Sequence, residues 1–213
     1  MADTMSQITE TGIIAILRGF SDEETIATAN ALSNAGIGAI EVTANTDNFI
    51  SILTRLASSF HVSGPQIGVG TVLDPETAMM AIHAGAEFLV TPSFDKGVIE
   101  TANRYGIPVL TGVATPTEAV RAFESGADMC KIFPANTYGP DFVSSLRGPL
   151  PQIPLVPTGG VTRENAPAYF EAGAVALGIG SSIAPIDAVE NGEFEGIETR
   201  AREFLDIATE YLS

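Results

Sequence analysis

The 213-residue sequence predicts a (β/α)8 barrel of the TIM type, with a short helix near residues 4–12 covering its lower end. Three observations lead there. Eight β-rich runs recur along the chain, helix-like segments separate them, and four of those segments close on an Ala-Gly or Ser-Gly pair. An open, doubly wound sheet is the other arrangement that the same alternation permits.

The runs are IIAILRG (13–19), AIEVTAN (39–45), QIGVGTV (66–72), FLVTPS (88–93), PVLTGV (108–113), MCKIFPA (129–135), PLVPTGG (154–160) and VALGIGSS (175–182). Their near-continuous apolar character, without strict alternation, suits parallel strands covered on both faces. Segments such as DEETIATANALSNAG, DPETAMMAIHAG, TPTEAVRAFESG and TRENAPAYFEAG begin near Asp, Thr or Pro and end at glycine. They read as capped amphipathic helices whose final residue turns left-handed. The stops at 35–36, 84–85, 125–126 and 172–173 are spaced as a repeated βα unit requires. No composition shift or long polar linker divides the chain, so residues 1–213 are expected to form a single barrel domain.

Hydrophobic residues make up 45% and charged residues 17%, a globular composition. Twenty-six acids face ten bases, and the formal charge of -16 is scattered along the chain. Such a surface repels nucleic acid and anionic lipid, so neither is expected as a partner. Lys96 and Lys131 are the only lysines beside eight arginines, a bias similar to that of proteins from salt-rich cytoplasm. A halophilic setting is therefore expected, since concentrated salt screens self-repulsion. The start MADTMSQITE lacks the basic end and apolar core of a signal peptide, and no apolar run reaches the roughly 18 residues of a spanning helix. A cytoplasmic location is the expectation. Cys130 stands alone, and no cysteine and histidine cluster suggests a metal, so neither metal nor cofactor is expected. His61 and His83 lack ligand spacing and read as surface or packing residues, as Met79 and Met80 read as helix packing.

Barrels of this type gather the C-terminal strand ends at one mouth, where active sites are built. Arg18, Glu41, Thr43, Asn45, Thr71, Thr91, Pro92 and Lys131 all fall toward such ends. Strand alternation puts Lys131 and Phe133 on one face and Cys130 and Ile132 on the other. A lysine in a strand is most often an edge residue whose ammonium reaches water. Turned into the barrel, it loses hydration that only the charged form needs, which favours the nucleophilic amine of Schiff-base chemistry. Cys130 then packs beneath the helices as an inert thiol. Glu41 interrupts an apolar strand in two compatible ways: it pairs with Arg18 from the adjacent strand, or it shuttles protons at a lysine adduct.

PTGGV (157–161) and GIGSS (178–182) place glycine-rich loops after the last two strands, where barrels bind phosphate through main-chain N–H groups. GIGSSI lacks the third glycine of a dinucleotide fingerprint. GVGTV lacks the lysine and hydroxyl residue of a P-loop, which leaves Thr71 and nearby amides to hold a carboxylate.

Taken in order, AILRG, EVTANT, GVGTVLDP, VTPSF, KIFPA, PTGGV and GIGSS make the chain resemble the class I aldolases for 2-keto-3-deoxy-6-phosphogluconate and its galactonate epimer. The likeness spans almost the whole chain. It implies a homotrimeric, metal-free barrel that reversibly splits a keto-deoxy sugar acid phosphate into pyruvate and glyceraldehyde 3-phosphate. By matching positions it implies an imine on Lys131 and proton movement by Glu41. It further implies Arg18, Thr43, Thr71 and the Gly70 amide about the pyruvate end, with Pro92 and Phe133 as walls. Thr158, Gly159, Gly160, Gly180, Ser181 and Ser182 are implied about the distal phosphate. Asn45 stands where many phosphogluconate-type members carry arginine, so that carboxylate contact does not carry over. EVTANT and KIFPANTYGP lie nearer the galactonate branch, while both C4 epimers and 4-hydroxy-2-oxoglutarate remain open as substrates. Two other classes share these features: a phosphate-binding barrel isomerase or synthase in which Lys131 acts only as a charge, and a catalytically silent sugar-phosphate sensor.

Overall fold

The computed structural model describes residues 4–60 and 64–212, so the reading of His61 lies outside the described residues. The elements alternate as the runs predict: α1 (Thr4–Thr11), β1 (Ile13–Leu17), α2 (Asp22–Ala35), β2 (Ala39–Thr43), α3 (Phe49–Phe60), β3 (Gln66–Gly70), α4 (Pro75–His83), β4 (Phe88–Val90), α5 (Lys96–Tyr105), β5 (Val109–Val113), α6 (Pro116–Glu124), β6 (Met129–Ile132), α7 (Ala135–Arg147), β7 (Leu155–Pro157), α8 (Ala166–Glu171), β8 (Leu177–Ile179), α9 (Ile186–Glu190) and α10 (Phe194–Leu212). Of the four quoted helical segments, three start at a side-chain cap, α8 has none, and all four stop at the predicted glycine. Ser21, Asp74, Asp95 and Thr115 accept the N–H three residues on, and Ser21 completes a reciprocal capping box with Glu24. Gly36, Gly85, Gly126 and Gly173 follow with φ between 96° and 104°, the left-handed turn that glycine adopts without penalty.

All strand pairs are parallel, in the order β7-β6-β5-β4-β3-β2-β1-β8. Only a narrow seam joins the two ends. Val175 donates to the Leu155 carbonyl at 3.0 Å, and Thr158 bridges Gly178, so the eight strands form a nearly closed (β/α)8 barrel. Alternate residues divide into an outer layer under the helices, including Leu17, Val42, Cys130 and Ile132, and an inner cluster of Ile14, Ala39, Phe88, Val90, Leu110, Met129, Val156 and Ala176. Ile8 of α1 belongs to the inner cluster and is fully buried, so the predicted N-terminal helix does cap the lower end.

Three differences from the sequence reading matter. The strands are shorter than the runs, with three residues in β4, β7 and β8, because the polar and glycine-rich tails leave the sheet as βα loops. The helix expected over 162–173 is regular only from Ala166, after a turn in which Asn165 accepts the Thr162 N–H. Finally, α10 buries Ile197, Ala201, Phe204 and Ala208 on one stripe, a helical period in the sequence that the run-by-run reading passed over.

Candidate active site

Strand β6 carries the central group. Met129 and Lys131 face the lumen, whereas Cys130 faces the helices, where its thiol lies 3.8 Å from the Ala119 carbonyl and burial pushes its pKa up to about 12. Lys131 is 4% exposed, and its Nζ sits 5.3 Å from the centre of the Phe133 ring. It has no ion-pair partner among the described residues.

Glu41 is buried still more deeply, at 1% exposure, with Oε1 lacking any hydrogen-bond partner. The expected pairing with Arg18 does not form. Arg18 is exposed and instead extends its Nη2 to within 3.3 Å of the Thr71 hydroxyl, which accepts the bond. The carboxylate fits because β3 presents glycine beside it: a Cβ on Gly70 would lie 1.6 Å from Oε1. Gly70 thus makes room for Glu41, and its carbonyl accepts the Ala44 N–H at 2.7 Å. Thr71 lies just past the end of β3 with φ 58°, a backbone strain that a threonine rarely carries away from functional sites.

A cavity of about 340 Å³ opens at the mouth between β1, β6, β7 and β8. Lys131, Phe133 and Arg18 line one part, Thr158, Gly159, Gly160, Gly180, Ser181 and Ser182 another, and mostly apolar residues, among them Ile16, Phe20 and Ile186, complete the wall. The two glycine loops are shaped around each other. The Ser182 hydroxyl donates to the Val161 carbonyl at 2.6 Å, and the Thr158 and Gly159 carbonyls accept the first N–H groups of α7. Gly159 and Gly160 have φ of 95° and 72°, and no protein acceptor for the N–H of Gly159, Gly160, Ser181 or Ser182 is found among the described residues. Unpaired main-chain donors facing a common cavity suit an anion.

Thr158 is buried at the level of Lys131, with its hydroxyl 3.3 Å from the Val156 carbonyl. Glu41, Thr43, Gly70, Thr71 and Pro92 stand apart from the lining of this cavity. Thr43 is fully buried, and its hydroxyl lies 3.1 Å from that of Thr46, which accepts the Gly19 N–H at 3.3 Å. That chain ties two mouth loops together. Sequence reasoning passed over Gly112 and took Gly178 only as the start of the GIGSS loop; both are inward positions whose missing Cβ atoms leave space, for the Pro92–Ser93 peptide and the Thr158 hydroxyl respectively. A glycine within an apolar strand is the signal that could have found them. His83 packs edge-on against Tyr105, and no cluster of three metal-ligating side chains is found among the described residues.

A buried lysine and a buried carboxylate, neither ion-paired among the described residues, inside a parallel barrel rimmed by unpaired main-chain donors make an aldolase-like arrangement. The model for "Aldolase: KDPG and KHG aldolase" matches residues 4–200. The chain is 36% identical to the 2-dehydro-3-deoxy-6-phosphogalactonate aldolase of Escherichia coli, covering 82% of this chain and 85% of that one. It is 32% identical to the 2-dehydro-3-deoxy-phosphogluconate aldolase of Pseudomonas aeruginosa, covering 95% and 91%. Its fold matches a KDPG aldolase structure from Legionella pneumophila, with pyruvate captured as a covalent carbinolamine intermediate, at a TM-score of 0.85 and 27% identity over 93% and 96% of the two chains. The chain belongs to the KDPG and KHG aldolase family, and it is a carbon-carbon lyase.

Proposed function

We propose that the protein cleaves 2-keto-3-deoxy-6-phosphogluconate or its C4 epimer, the phosphogalactonate, to pyruvate and glyceraldehyde 3-phosphate through an imine on Lys131. One observation carries this reading: Lys131 and Glu41 are 4% and 1% exposed inside one barrel, and neither has an ion-pair partner among the described residues. Ionisable groups buried in a cleft without partners are disfavoured for stability alone and gather at functional sites. A purely electrostatic role for Lys131 leaves the unpartnered carboxylate unexplained.

The neutral amine of Lys131 attacks C2, and the ketone oxygen takes a proton to give a carbinolamine. A second proton expels that oxygen as water and leaves the iminium. The C3–C4 bond then breaks, its electrons entering the iminium to form an enamine while the C4 hydroxyl proton passes to Glu41. Protonation at C3 and addition of water release pyruvate and restore the amine. Pro92 and Phe133 wall the imine, Thr71 with Arg18 holds the carboxylate end, and Thr43 braces the loops around it. The free N–H groups of the Thr158 and Gly180 loops take the phosphate. Within the proposal the chain acts as one catalytic domain, assembled as a homotrimer in the cytoplasm. The formal charge of -16 supports a halophilic setting in which activity and stability rise with salt.

Pyruvate release from the two C4 epimers and from 4-hydroxy-2-oxoglutarate, followed in a coupled assay at graded salt, tests the substrate. A preference of at least about tenfold in kcat/KM for a phosphorylated epimer over 4-hydroxy-2-oxoglutarate is expected, because the latter forfeits the rim contacts. Turnover of 4-hydroxy-2-oxoglutarate alone, or of none of the three, overturns the assignment. Light scattering at the mass of three 22.2 kDa chains checks the assembly.

A further inference from the structure

At the junction of β4 and β5, Pro92 is proposed above as a wall of the imine, but Thr91 and Gly112, which seat it, have no part in the chemistry described so far. Thr91, fully buried, follows β4; its hydroxyl donates to the Ser93 carbonyl at 2.7 Å and accepts the Gly112 N–H at 3.1 Å. One residue pair lower, the two strands still bond regularly, with the Thr91 N–H on the Leu110 carbonyl at 3.0 Å. At Gly112 a side chain replaces the strand carbonyl as acceptor, which frees the chain to leave β4 at Pro92. Gly112 faces inward beside Lys131, with which it pairs in register on the next strand. A Cβ at Gly112 would lie 2.2 Å from the Pro92 carbonyl carbon, 2.3 Å from its oxygen and 2.5 Å from the Ser93 nitrogen. The Pro92–Ser93 peptide therefore rests on bare glycine backbone, one strand away from the lysine.

We propose that Thr91 and Gly112 are positioning residues for the lysine site: they hold the Pro92–Ser93 peptide against the lumen wall so that Pro92 shields the imine from water. The inference rests on the imine reading of Lys131. Without the Thr91 hydroxyl, the Gly112 N–H and the Ser93 carbonyl lose a shared partner and the peptide lifts from its seat. The imine is then hydrolysed sooner, and more pyruvate is needed to maintain it.

Exchange of the pyruvate methyl protons in D2O, read by NMR, reports imine and enamine formation without any sugar phosphate. Wild type is expected to exchange, and Thr91→Ser, which keeps the hydroxyl, to stay within about twofold of it. Thr91→Val, with its cooperative melt retained, should need about tenfold more pyruvate for half-maximal exchange. Pro92→Ala, which leaves both Thr91 bonds in place, should give the same rise and decides the matter if Thr91→Val does not fold. A folded Thr91→Val or a Pro92→Ala with wild-type concentration dependence overturns the proposal, as does a Thr91→Ser as impaired as the valine variant. Absence of exchange in wild type overturns the imine reading itself and this shield with it.

Discussion

Toward its lower end the barrel lumen is filled by Ile8, Ile14, Phe88, Leu110 and Met129, whereas nearer the mouth the inward positions of the same wall hold Glu41, Gly70, Gly112, Lys131 and Thr158. Glycine serves both halves differently. Below, the Phe88 ring occupies the space where a Gly68 Cβ would sit, 2.5 Å away, and the gap is closed with apolar surface. Above, the vacated spaces receive a carboxylate, a peptide group and a hydroxyl. One half is packed with apolar side chains and the other is hollowed around polar groups, so under the proposed function substitutions in the two should separate melting from turnover.

The largest separation belongs to Lys131→Met. Turnover should fall by about 10⁶-fold or more, since the covalent path is lost, while the melting midpoint stays equal or rises because a costly buried amine has become apolar. A variant that melts well below wild type would assign Lys131 to structure. Glu41→Gln should lower kcat by about 10² to 10⁴-fold with little change in stability, measured by steady-state cleavage and thermal melts. In the lower half the expectation reverses. Phe88→Ala should cost about 3–5 kcal/mol of unfolding free energy in urea titration, with KM unchanged in the folded fraction.

Smaller effects sharpen the contrast between the two faces of β6. Because burial holds the Cys130 thiol near 12 against 9.0 unfolded, the folded protein keeps a proton that the unfolded chain gives up. Stability from this group is complete below pH 9 and is lost as pH rises toward 12, a slope that Cys130→Ala should flatten. The native thiol should stay silent to thiol reagents at pH 8. Asp74, held below the usual carboxylate range by the Thr77 N–H, contributes in the opposite sense: its stabilisation is present above the unfolded pKa and fades as pH falls through the lower folded value. Asp74→Ala should cost about 1 kcal/mol at neutral pH, less in acid, with cleavage unaffected.

The repeating part of the molecule was legible because each βα unit announces itself locally, with an apolar run, a capping residue and a glycine stop. Lys131 and Glu41 were legible for a related reason, since a charge within a buried strand is an anomaly at any distance from its partners. Side-chain destinations were not. Whether Glu41 meets Arg18 depends on the path of Arg18 above the sheet, and that side chain goes to Thr71. The seats provided by Gly112 and Gly178 depend on where a neighbouring strand bends, a tertiary fact that a glycine in LTGV or LGIGS marks without specifying. The α10 stripe of Ile197, Ala201, Phe204 and Ala208 follows a plain helical period, but it lies after β8, outside the run-and-glycine repeat that marks the other helices.

The central claim is an amine inside the barrel that bonds to a ketone. Native protein incubated with pyruvate and borohydride, then digested and mapped by mass, tests it most directly. The account predicts one reduced pyruvyl adduct per chain, on Lys131, with exposed Lys96 unlabelled. Label confined to Lys96, or none in protein that is folded and active, would contradict it.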